Sequence, residues 1–252
     1  MRSFQSSPTP VKDRQYFADI FIESAEVIPI HARAVSMFVE KWMTPDPQTV
    51  DPEVSVSFVA LEMNRRKFRH FPVAELTGNG KRLVGIVSKY DIARGFPADL
   101  NPFSIEVSED SVPRPVSSVM SKRVITITPS CPIEDAAKIL RSHRIGALPV
   151  LRDNRLVGII TESDVFEAFI GMTAAKSGGL RILVESGVDF NPIPAVLDLS
   201  REHRVEILSL MSFHENRLKG KDLSVFRFAR RLPAGFLQEI ATLGFRIVSV
   251  RD

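Results

Sequence analysis

The chain has 252 residues, 44% apolar and 25% charged, which excludes a fibre, a tail or a disordered linker and leaves room for more than one domain of roughly 100–150 residues. Lys and Arg total 33 against 30 Asp and Glu, a formal charge of +3, too even for the dense basic face of a nucleic-acid binder. Cys131 is the single cysteine, so neither an intramolecular disulfide nor a zinc site of paired cysteines can form; no apolar run approaches the ~18–20 residues of a membrane span, no signal-peptide core opens the chain, and a cytoplasmic location is expected.

Residues 1–35 open with Ser6-Ser7-Pro8-Thr9-Pro10, a mobile tail by composition. Tyr16, Phe17, Ile20, Phe21 and Ser24 then share one helical face, an amphipathic segment suited to covering another domain, a second subunit or a partner. Beyond this segment the chain repeats itself. Met43 and Met120 lie 77 apart, and the same offset carries Thr49 onto Thr126, Pro52 onto Pro129, Pro72 onto Pro149 and Val73 onto Val150. The offset then falls to 73: Leu83-Val84-Gly85-Ile86-Val87-Ser88 answers Leu156-Val157-Gly158-Ile159-Ile160-Thr161, and Asp91 answers Asp164. The shortening falls in a hairpin loop tipped by Gly78-Asn79-Gly80 in the first copy.

Each copy reads as β-α-β-β-α. A short strand (48–50; 124–127) precedes a helix with Pro52 or Pro132 in its first turn. Ile133, Ala136, Ala137 and Leu140 give the second copy's helix its buried stripe. Two strands follow, Phe71-Pro72-Val73 with 83–87 and Leu148-Pro149-Val150 with 156–160, before a helix opening at Ser88 or Thr161. At that junction Ser88 with Asp91, and Thr161 with Asp164, admit two readings. One is a capping box, in which hydroxyl and carboxylate satisfy each other's backbone amides. The other is a ligand site, where free N–H groups and the hydroxyl meet a phosphate and the carboxylate accepts ribose hydroxyls.

In the first copy Arg65-Arg66-Lys67-Phe68-Arg69-His70 precedes Phe71. Arg65 and Lys67 read as a solvated helix face. Arg69 and His70 stand directly before the hydrophobic-Pro-Val strand, where the second copy has Gly146-Ala147, and Arg144 is the nearest compensating cation there. Two unequal sites are expected, one of them empty or suited to a less charged ligand.

These residues together resemble a tandem pair of CBS domains, the Bateman module, over residues 38–170. The resemblance implies two facing domains with clefts that bind AMP, ADP, ATP or S-adenosylmethionine as regulatory ligands, with no required cofactor and no metal. It places Thr161 and Asp164 at the phosphate and ribose positions of one cleft and Ser88 and Asp91 at those of the other. Arg69 and His70 fall where such proteins set basic phosphate contacts, and Arg144 stands in for them in the second copy. Thr49 and Thr126 fall on strands lining the base pocket, and Phe71, Pro72, Ala147, Leu148 and Pro149 match its apolar wall.

Beyond Gly178-Gly179 the pattern changes. Leu180, Ile182 and Val184 alternate as a strand, 194–204 reads as a helix, and 205–210 returns as a strand. A loop over 214–222 leads to a strand at 223–229; Pro233 opens a helix with Phe236, Leu237, Ile240 and Leu243 on one face, capped by Gly244, and 245–250 is the last strand. The order βαββαβ is ferredoxin-like and resembles an ACT domain. Amino-acid-binding members of that family place Pro-Gly after an acidic residue, whereas Asp189-Phe190-Asn191-Pro192 lacks the glycine, which favours packing or dimerisation. The domain order is similar to that of bacterial acetoin-utilisation CBS-ACT proteins and implies a regulator of carbon metabolism.

The fold class is therefore α+β: residues 1–35 an amino-terminal segment, 36–97 and 116–172 two CBS domains joined by a 98–115 linker, and 178–252 an ACT-like domain. No enzyme motif occurs. His203 and His214 read as surface or core residues rather than metal ligands, Cys131 as an inert thiol and Trp42 as a packing residue. The chain reads as a non-enzymatic, nucleotide-sensing homodimer, with no nucleic-acid or membrane partner and an unidentified regulated protein. The alternative is a dimerising interaction module with vestigial ligand sites.

Overall fold

The structure is a computed structural model and describes residues 37–78, 80–104, 107–187, 190–214, 221–229 and 232–252. The amino-terminal face from Tyr16 to Ser24, Asn79, Asp189 and the centre of the 214–222 loop lie outside the described residues.

The first copy comprises α1 (Val56–Arg66), β2 (His70–Thr77), β3 (Gly80–Ser88) and α2 (Lys89–Gly95), and the second α3 (Ile133–His143), β4 (Ala147–Arg152), β5 (Arg155–Thr161) and α4 (Glu162–Met172). In α1, Val56, Val59, Ala60 and Met63 recur at i, i+3, i+4 and i+7 and are buried, and the Ser55 hydroxyl caps the start by accepting from the Phe58 amide at 3.1 Å. Pro52 therefore lies before the helix, not in its first turn, because Ser55 supplies the cap. Pro132 is the N-cap of α3 itself. Both helices end on a residue in the left-handed conformation, Lys67 (φ 61°) and Arg144 (φ 54°), which are equivalent by the offset of 77.

The two hairpins are congruent. β2 pairs antiparallel with β3 with His70 opposite Ser88, and β4 with β5 with Ala147 opposite Thr161. Each carries a bulge at the same place, Val73/Ala74 and Val150/Leu151. The expected strands at 48–50 and 124–127 shrink to single parallel bridges, Val50 to Val73 and Ile127 to Val150. Pro47 and Pro52 flank Val50, and Pro129 follows Ile127, and these lack the N–H that would extend a ladder.

The leading segment of each copy packs on the other copy. β1 (Thr44–Pro45) pairs with β5, Thr44 opposite Ile159 and Pro45 opposite Gly158. Val39, Trp42 and Met43 join the core of the second copy, whose Cys131 carbonyl accepts from the Val39 amide at 2.9 Å. Conversely, Ser121 bridges to Ile86, and Val116, Val119 and Met120 join the core of the first copy. Met43 lies over Gly158 and Met120 over Gly85, so closely that a Cβ on either glycine would overlap the thioether sulfur.

The last part contains β6 (Leu180–Gly187), α5 (Pro192–Glu202), β7 (Ile207–His214), β8 (Lys221–Phe228), α6 (Phe236–Thr242) and β9 (Arg246–Arg251). The sheet order β7-β8-β6-β9 is antiparallel throughout, so the fourth strand of this part lies beside its first and the third separates first from second, the split βαβ arrangement. One core holds Ile182, Val184, Phe226 and Phe228 with Val196, Phe236 and Ile240 from the helices. α5 starts two residues before the expected position, because Asn191 accepts from the Ile193 amide at 3.0 Å and Pro192 occupies the first turn. The Thr173 carbonyl after α4 accepts from Ser209 Oγ at 2.8 Å and Arg227 Nε at 3.2 Å, seating this sheet on the connector. No helix among the described residues is long and apolar enough to cross a membrane.

Candidate ligand clefts

The exchange of leading segments leaves two clefts between the copies. The first, about 550 Å³, is lined by Arg69, His70, Ile86, Ser88, Lys89, Tyr90 and Asp91 of the first copy and by Ser121, Arg123, Val124, Ile125 and 144–147 leading into the second. The second, about 390 Å³, is lined by Thr44, Asp46, Pro47, Gln48, Lys67, Phe68, Arg69, His70 and Pro72, and by Ile159 and Thr161 from β5. Each cleft thus joins the strand-to-helix cap of one copy to the helix-ending cation of the other: Ser88 meets Arg144, and Thr161 meets Lys67.

Both caps are complete within the protein. Asp91 Oδ2 accepts from the Ser88 amide at 2.9 Å and from Ser88 Oγ at 2.6 Å. Asp164 Oδ2 accepts from the Thr161 amide and from Thr161 Oγ1, each at 2.8 Å. In each carboxylate these bonds use one oxygen and leave Oδ1 for a further donor. Ser88, His70 and Asp91 share a cleft, yet the Ser88 hydroxyl donates to Asp91 and not to the imidazole, so they do not form the chain of nucleophile, base and orienting acid that acyl transfer needs.

Arg69 and His70 line both clefts. Arg69 reaches across to donate to Ser163 Oγ on α4 at 2.9 Å. Burial holds the His70 imidazole below its ordinary pKa and the neighbouring Arg69 charge acts in the same sense, against the opposing pull of Asp91 and Glu162. Its ring fills the space beside Gly146: a Cβ there would stand 2.8 Å from His70 Cε1. The second copy accordingly has no side chain at the position that answers Arg69.

The other expected site residues divide. Pro72 lines the second cleft and Ala147 the first. Phe71 and Leu148 are buried in the two cores, and Pro149 is buried beside Leu148. Thr49 and Thr126 are half-buried, next to the lining residues Gln48 and Ile125. Lys67 is exposed as expected, but it is the left-handed C-cap of α1 rather than part of the helix face, and it lines the second cleft. The offset of 77 onto Arg144 was the signal for it. Arg123 and Lys89 were missed as well, and the offsets of 77 and 73, which set them against Asp46 and Glu162, were the signal for them. Cys131 has its thiol pKa pushed up by burial and by Asp135, against any activation by the helix start.

Residues 39–97 and 116–171 match the CBS domain family model. A homoserine O-acetyltransferase of Methanohalobium evestigatum is 31% identical over 129 residues, 51% of this chain and 23% of that enzyme, so the chain spans about a quarter of its length. Among solved structures, an acetoin-utilization protein (AcuB) from Vibrio cholerae is 29% identical over 55% of this chain and 94% of that one, with a TM-score of 0.45. CBSX2, solved in complex with AMP, is 27% identical over 54% of this chain and 97% of its own, with a TM-score of 0.44. The two matches fall one on each of the congruent units that flank the clefts, so each unit is similar to a CBS domain.

Proposed function

We propose that this protein is a non-catalytic sensor in which the CBS pair binds adenosine-containing ligands, AMP, ADP, ATP or S-adenosylmethionine, and passes their occupancy to a regulated partner. The observation that carries the reading is the pairing, in each cleft, of a capped strand-to-helix junction with a cation delivered by the opposite copy: Asp91 itself lines the first cleft, and Thr161, whose capping Asp164 has one uncommitted oxygen, lines the second. Such a carboxylate accepts ribose hydroxyls, the cations meet phosphate, and Ile86, Val124, Ile125 and Ala147, or Pro47, Pro72 and Ile159, give a base an apolar wall. Thr49, Phe71, Thr126, Leu148 and Pro149 support those walls from behind. A ligand that fits one spacing of the two copies better shifts the population toward it.

The βαββαβ part acts in this reading as an ACT-like dimerising and transmitting domain, and the protein works as a cytoplasmic homodimer in carbon metabolism. Calorimetric titration of AMP, ATP and S-adenosylmethionine into wild type and Asp164→Ala tests the core of the proposal. Loss of one of two binding events is expected in the variant, and unchanged binding removes the second cleft from the account.

One observation favours a second reading. Both caps are satisfied without any ligand, as in a pair whose clefts are vestigial and whose role is to join subunits. Native mass spectrometry of gently purified protein separates the two, because a co-purified nucleotide belongs only to the first.

A further inference from the structure

We propose that the two clefts sort adenosyl ligands by charge: the first takes a nucleoside di- or triphosphate, the second a ligand carrying at most one phosphate. The proposal rests on the adenosyl-binding reading above and adds the residues that divide the ligands.

The clefts are equivalent position by position, which makes their differences interpretable. Ser121 answers Thr44, Val124-Ile125 answers Pro47-Gln48, Ile86 answers Ile159, and Arg144 answers Lys67. These pairs keep their polarity or charge, with the exception of Ile125 and Gln48. Two positions reverse sign. Arg123 in the first cleft stands where the second has Asp46, and Lys89 stands where α4 begins with Glu162. Backbone geometry confirms the second equivalence: the Lys89 amide donates to the Arg69 carbonyl at 2.9 Å and the Glu162 amide to the Gly146 carbonyl at 3.3 Å.

The lining of the first cleft therefore gathers Arg69, Lys89, Arg123 and Arg144 against Asp91, with Glu162 behind its Gly146 edge, whereas the lining of the second has Lys67 and Arg69 against Asp46. Lys81 pairs with Asp46 at 2.6 Å and offsets much of its field, so the second cleft's deficit is chiefly missing cations. Lys89 is held in place with its ammonium 4.7 Å from the centre of the Phe103 ring. Because each phosphate added to a nucleoside adds charge and no apolar surface, the number of converging cations is what sets preference along the series from adenosine to ATP. One exposed cation is worth a factor of about two to five, and the two reversals together about tenfold.

The test titrates adenosine, AMP and ATP calorimetrically at low and at high salt into the full chain, with Asp91→Asn and Asp164→Asn used to assign each event to a cleft. The first cleft should prefer ATP over AMP by about tenfold at low salt and lose most of that preference at high salt, and the second should show no such preference. Arg123→Asp with Lys89→Glu should collapse the ATP-to-AMP ratio of the first cleft while adenosine binding stays within about twofold. Arg123→Ala with Lys89→Ala, a milder pair, should move it the same way and guards against misfolding of the reversal. Asp46→Arg should raise the ratio in the second cleft. If all three ligands bind and the ratios do not differ or do not move, charge sorting is overturned while the adenosyl reading stands; if none binds, both fall.

Discussion

At the scale of single residues, Gly146 and His70 form a lock and its key. The imidazole occupies the volume that a side chain on Gly146 would need, and the same burial lowers its proton affinity. Gly146→Ala should push the ring outward and raise its titration midpoint toward the ordinary value near 6.5, read by NMR titration of the imidazole resonances. In the wild type the folded midpoint lies below the unfolded one, so in the window between them the unfolded chain holds the extra proton. Stability should be fully present above about pH 6.5 and fall as the pH drops through the folded value, and His70→Gln should flatten that part of a pH series of chemical melts. Not all of this was open to inspection in the sequence. The doublet Arg69-His70 opposite Gly146-Ala147 was visible as an asymmetry, but its cause, one ring filling the other copy's gap, is a contact between residues 76 apart. Lys67 shows the reverse case: its neighbours Arg65 and Arg66 clamp Glu62 on the helix surface and hold that carboxyl down at about 2, and it looked like one more of them until the left-handed cap turned it away.

At the scale of elements, the caps at Ser88 and Thr161 serve whether or not a ligand comes. Removing the Ser88 hydroxyl should cost about 1 kcal/mol of stability, the usual worth of an N-cap, and the loss should appear in denaturant melts of ligand-free protein. A fall in nucleotide affinity beyond that would measure what the hydroxyl does for a ligand. The helices and hairpins were legible because their patterns are local: a stripe at i, i+3, i+4 and i+7, a valine-glycine-isoleucine run, a turn of Gly and Asn. The short strands before α1 and α3 were over-read for the same reason. Their β-prone residues are present, but Pro47 and Pro52 around the first and Pro129 after the second stand where a ladder would extend, and only Val50 and Ile127 bridge to a neighbour.

At the scale of the whole molecule, the two copies are clasped. Met43 and Met120 each close over a glycine of the opposite hairpin, and the identical spacing of the methionines in the repeat gave no sign that each serves the other copy. Gly158→Ala would drive a methyl group into the Met43 thioether, and overpacking of this kind costs about 1–3 kcal/mol. Met43→Ala in the same chain should recover part of that loss, a coupling that a double-mutant cycle on denaturant melts reads directly. The clasp also bears on how the protein comes into being. As the chain leaves the ribosome, the first hairpin and its helices are made before Val116 and Met120 exist to seal their core, while Val39, Trp42 and Met43 wait, apolar and unpartnered, for a second core synthesised about a hundred residues later. The first core can close once Met120 has emerged, whereas the second cannot close until β5 is made, so the amino-terminal residues that complete it stay exposed while the rest of the pair is synthesised.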